Sequence, residues 1–77
     1  WGMRGNIYLL FGDYDEAIIN YDEALKWTNS PEEIMFNKGL AELFDHRLRE
    51  GCATLKQAVD ELGYEHGRDA YINFCGP

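Results

Sequence analysis

Two cysteines, two histidines and an excess of carboxylates are the residues in this chain that could do chemistry. Cys52, Cys75, His46 and His66 offer the sulfur and imidazole donors of a tetrahedral zinc site, but no C-x-x-C or H-x-x-x-H spacing gathers them. A thiol nucleophile needs a base and an open pocket, whereas Cys52 shares an apolar helical face with Gly51, Leu55, Ala58, Val59 and Leu62. Asp13, Asp15, Glu16, Asp22 and Glu23 fall at the cap and on the solvent side of one helix, where nothing apolar would separate their pKa values for acid–base work. These patterns lead to no catalytic residue, no metal and no cofactor, and the chain reads as a non-enzyme.

The cysteines remain interesting as a pair. If two helices fold back on each other about Gly63-Tyr64, Cys52 and Cys75 are equidistant from the turn and face one another. They then either form a disulfide, which would contribute about 3 kcal/mol by closing the loop, or pack as two small apolar thiols.

Composition narrows the partners. Fourteen acidic residues against seven basic ones leave a net charge of −7, which argues against a nucleic-acid backbone, since that needs clustered Lys and Arg. No apolar run approaches the ~20 residues of a membrane-spanning helix. A domain of this length buries only about 60% of its unfolded surface, so repeats or a capping element have to support it. The start at Trp1, partway into a helix, is what a fragment or a processed product would show.

The elements that position these residues are helices. Residues 1–11 carry Trp1, Gly5 and Tyr8 on one stripe, widened by Leu9 and Leu10, and Gly12 ends the segment. Asp13 with Glu16 has capping-box spacing, and from there Ala17, Ile18, Tyr21, Ala24 and Leu25 form one apolar face to Trp27, with Asp15, Glu16, Asn20, Asp22, Glu23 and Lys26 pointing away. Ser30-Pro31-Glu32-Glu33 reads as N-cap, first-turn proline and capping glutamate of a third helix. Asp45-His46-Arg47 replaces the glycine turn with something less regular, and a fourth helix runs over 48–62 to a stop at Gly63. A short fifth helix over 68–75 puts Ala70, Tyr71, Phe74 and Cys75 on one side, suited to cover helix four.

The pattern recurs. A shift of 34 residues sets Gly5 on Gly39, Glu16 on Glu50, Ala17 on Gly51, Tyr21 on Leu55, Ala24 on Ala58 and Leu25 on Val59 without a gap. Trp1-x-x-Arg4-Gly5-x-x-Tyr8, Gly12-x-Tyr14, Ala17-x-x-x-Tyr21 and Ala24 resemble the tetratricopeptide repeat (TPR) family. Arg4 departs from the family's leucine, and in the second copy Met35, Lys38, Glu42 and Gly51 replace tryptophan, leucine, tyrosine and alanine. The resemblance implies an all-α fold of helical hairpins in a superhelix. Residues 1–30 would be a first repeat truncated at its start, 31–63 a TPR-like second, and 64–77 a C-terminal capping helix. The stretches Glu50-Gly51-Cys52, Glu61-Leu62-Gly63-Tyr64 and Asn73-Phe74-Cys75 also resemble the ending of certain bacterial TPR and Sel1-like proteins, which implies a periplasmic or envelope location.

By the TPR resemblance, the first helices of successive repeats line a concave groove containing Asn6, Leu9, Leu10, Glu33, Phe36, Asn37, Leu40 and Phe44. The function it implies is a protein–protein interaction scaffold that docks a partner segment there. The alternative is a structural subunit packed permanently into a larger, possibly bacterial envelope, complex. Gly2 stands where the chaperone-binding members of the family place a clamping lysine, so an acidic chaperone tail does not suit this groove.

Overall fold

The computed structural model describes residues 2–76; the Trp1 part of the first stripe lies outside them. Helices α1 (Gly2–Phe11), α2 (Tyr14–Trp27), α3 (Glu32–Phe44) and α4 (Leu48–Lys56) form two hairpins, and α5 (Arg68–Cys75) follows. Among the described residues there is no strand. None of the described helices is long and apolar enough to cross a membrane.

Burial follows the small and bulky positions of the repeated pattern. Ala17, Ile18, Tyr21 and Ala41 form a buried cluster across α2 and α3, with Tyr8, Leu9 and Ile34 packed against it. Leu55, Ala58 and Val59 are the buried hydrophobic residues of the second hairpin's return helix. Close approach inside each hairpin requires a glycine. A Cβ on Gly5 would lie 2.6 Å from the Tyr21 ring, and one on Gly39 would lie 2.7 Å from the Leu55 side chain. These two contacts are one contact repeated, since 5 and 21 become 39 and 55 under the same shift.

The turns repeat as well, which corrects the expectation of a less regular second hairpin. In the first, Gly12 N–H donates to the Leu9 carbonyl at 3.1 Å and Asp13 N–H to that of Tyr8 at 2.9 Å. In the second, His46 N–H donates to Leu43 at 3.0 Å and Arg47 N–H to Glu42 at 2.9 Å. Both are Schellman closures, which need a left-handed residue; Gly12 supplies φ 78° and His46 φ 64°. Histidine pays a steric penalty in this region that glycine does not. His46→Gly is therefore expected to stabilise the chain by about 1 kcal/mol, read as a raised midpoint in urea with an unchanged slope.

The helix starts differ from the capping-box reading. Asp13 has ψ 75° and its side chain makes no cap hydrogen bond. Its amide is already committed to closing α1, so the turn sets its backbone away from the extended geometry a capping side chain needs. Its carbonyl accepts Ala17 N–H at 3.0 Å instead, as that of Arg47 accepts Gly51 N–H at 2.8 Å. At α3, Pro31 takes the flanking position with helical angles, and it is the Thr28 hydroxyl, accepting Ser30 N–H at 3.0 Å, that closes the preceding loop.

Among the described residues, two polar ones are buried. Asn20 was expected on the solvent face, yet it is buried, and its amide donates to the Glu16 carbonyl at 2.8 Å in its own helix. That bond satisfies the side chain locally and lets it sit at the edge of the core. Glu42, in the inward position Tyr8 holds one period earlier, is also buried. Its Oε1 finds no hydrogen-bond partner among the described residues.

Helix four continues past α4 through a π-helical turn, Gln57–Glu61. Leu62 N–H reaches back to the Gln57 carbonyl at 3.0 Å, and Gly63 at φ 75° reverses the chain. A 3-10 turn, Glu65–Gly67, leads into α5, whose residues are all at least partly exposed. Phe74, placed by its spacing on the covered side of that helix, is half exposed at 50%. An eight-residue helix presents too narrow a face to bury all four apolar residues of that side. Ion pairs bridge the hairpins from Lys38 to Asp22 at 2.7 Å and from Arg47 to Asp15 at 3.0 Å. Partly exposed pairs of this kind contribute at most about 1 kcal/mol each.

Candidate partner-binding surface

The surface shared by α1 and α3 is built around two amides. Asn37 Nδ2 donates to Asn6 Oδ1 at 3.2 Å, and the Tyr21 hydroxyl donates to the same oxygen from beneath. Burial pushes the Tyr21 phenol up to about 12, so it stays protonated and remains a donor at neutral pH. One carbonyl thus takes two donors, which holds Asn6 in a single orientation. Among the described residues, Asn6 Nδ2 and Asn37 Oδ1 keep no protein partner. They leave a donor and an acceptor side by side, the complement of a peptide unit in an extended chain.

The other six groove residues have different placements. Leu9 turns inward onto the core cluster, and Leu40 is half-buried in the sequence position that Asn6 holds one period earlier. Leu10 is 86% exposed and shares an outer stripe with Met3 and Ile7. Phe36 lies against the C-terminal segment, its ring 5.2 Å from that of Tyr64 and close over Gly67. Phe44 stacks between Tyr14 at 5.8 Å and Phe74 at 6.3 Å. Glu33 is exposed and borders a cleft of about 420 Å³ with Ser30, Glu32, Gly63, Tyr64, Glu65 and His66. Burial and, secondarily, the Glu33 carboxylate raise the Tyr64 phenol above its ordinary value.

The structure therefore brings Asn6 and Asn37 together and draws Phe36 and Phe44 into aromatic contacts with residues outside the groove reading. Tyr21, Tyr64, Tyr14 and Phe74 complete those contacts. Tyr21 carried a usable signal, because a buried tyrosine on a packing face needs somewhere to send its hydroxyl. Phe74 carried a packing signal in its place on the covering side of the fifth helix, whereas Tyr64 carried none.

Cys52 and Cys75 are joined, with their Cα atoms 5.8 Å apart. The bond ties α5 to α4 and occupies both sulfurs as a disulfide. The exposed carboxylates Asp13, Asp15, Glu16 and Asp22 line the outside of the first hairpin.

Comparison with known families finds a match to the tetratricopeptide repeat over residues 1–31. No curated protein and no solved structure matches the chain.

Proposed function

We propose that this chain, whose residues 1–31 match the tetratricopeptide repeat, docks an extended segment of a protein partner in the groove between α1 and α3. The observation that carries this reading is the Asn6–Asn37 pair, oriented by Tyr21 and offering one free donor and one free acceptor. Backbone hydrogen bonds to the two amides would supply register, and the half-buried Leu40 with the exposed part of Phe44 the apolar contact. The net charge of −7 favours a neutral or basic segment over an anionic one. Residues 31–63 act as a second repeat in this reading, supported by a turn and a glycine contact that recur after one period, and 64–77 act as the cap. The disulfide supports an oxidising compartment such as the bacterial periplasm or envelope.

A specific observation favours a second reading. Met3, Ile7, Leu10 and Phe11 are 80%, 52%, 86% and 83% exposed, and they form one apolar stripe on the outside of α1. One period later, Ala41 replaces Ile7 and is buried against α2. A structural subunit would bury this stripe permanently against another chain.

Capture from the native source with two variants separates these readings. Leu40→Asp is expected to abolish capture at unchanged helicity, while Ile7→Asp leaves it intact. Capture that survives Leu40→Asp but fails with Ile7→Asp would assign binding to the outer stripe instead.

A further inference from the structure

We infer that the Cys52–Cys75 disulfide is a redox modification site, a latch whose reduction by a dithiol frees α5 from Phe44 while both hairpins stay folded. The first support is how little else holds α5. None of its residues is buried, and eight residues are too few for a helix to persist without its neighbours. Among the described residues, its covalent, ionic and aromatic ties to the hairpins are the disulfide, Arg68 with Asp60 at 3.4 Å, and Phe74 with Phe44 at 6.3 Å.

The second support is where the buried core lies. Its apolar residues run from Ala17 to Val59, so releasing α5 removes none of them. Gly67, just before α5, is buried against Phe36 and Tyr64, so the turn before α5 stays anchored and the chain swings beyond it. The third is access, since Cys52 and Cys75 are both partly exposed to solvent. Release leaves Phe44 stacked on Tyr14 alone, with the side formerly covered by Phe74 open to a partner.

In the exchange, a thiolate of the dithiol attacks one sulfur of the bond and expels the other cysteine as a thiolate, forming a mixed disulfide. The reductant's second thiol then displaces the remaining cysteine. Two electrons and two protons pass to Cys52 and Cys75, and the dithiol leaves as its own disulfide.

Hydrogen exchange on the intact chain, with and without dithiothreitol at one pH, tests the latch without requiring any partner. Amides in 70–75 are expected to exchange on the order of a hundredfold faster after reduction, with α2 and α3 unchanged and protection restored by reoxidation. The double variant Cys52→Ser with Cys75→Ser should match the reduced chain whether or not dithiothreitol is present. Unchanged protection of α5 on reduction would overturn the proposal. So would faster exchange throughout α2 and α3, or a double variant that does not fold, because either would make the bond a staple for the whole fold.

Discussion

Leu55→Ala is expected to destabilise the chain by about 2–5 kcal/mol, lowering its melting temperature by more than about 10 °C. Leu55 is fully buried, and its side chain fills the space directly above the bare backbone of Gly39. Truncation leaves a cavity floored by a residue with no side chain to move into it, which is the unfavourable end of the range for such substitutions. Domains have only about 5–15 kcal/mol of stability in total, and a short one sits near the bottom, so a large unfolded fraction should appear at physiological temperature. Gly39→Ala alone overpacks the same contact and should cost about 1–3 kcal/mol. In the Leu55→Ala background its methyl enters vacated space, so the pair should cost less than the two losses added. Thermal melts followed by circular dichroism read all three, and a Leu55→Ala loss below about 1 kcal/mol would refute the packing described.

Tyr21→Ala should be at least as damaging, at about 3–5 kcal/mol by analogy with other buried aromatic truncations. Tyr21 is fully buried against Gly5, in the place Leu55 takes one period later. It also donates to Asn6, so its removal acts on the proposed binding surface as well as on the core. Tyr21→Phe separates these roles. It retains the ring and loses one hydrogen bond, a cost of about 0.5–1.5 kcal/mol. Any partner affinity lost beyond that change in stability reports on the orientation of Asn6. If Tyr21→Phe binds the partner like wild type, the tyrosine acts only in packing.

How much could be read beforehand depends on the range of the interaction. The 34-residue period was legible because close helix packing restricts residue size, and Gly5, Gly39, Ala17 and Gly51 carry that restriction openly. Local turn geometry was less legible. His46 occupies a left-handed position for which glycine is the usual signal, so the second turn looked irregular although its hydrogen bonds reproduce the first. Asp13 matched a capping pattern, but a residue that closes one helix and opens the next in a single step has its backbone set by the turn.

Among the groove residues, Asn6 and Asn37 were grouped because the first helices of adjacent hairpins lie side by side, although their separation of 31 residues falls three short of the period. Phe36 was different, because its neighbours Tyr64 and Gly67 come from a segment whose docking no periodicity encodes. Glu42 did leave a trace in the sequence. Its alignment with Tyr8 marks an inward position, and a carboxylate there was bound to be buried.

Docking of a partner in the groove between α1 and α3 can be read by placing a photo-reactive residue at Leu40 and, separately, at Ile7, then irradiating with the native partner bound. A crosslinked partner is expected from position 40 and none from position 7. A crosslink from position 7 alone would contradict that docking and place the partner on the outer stripe of α1.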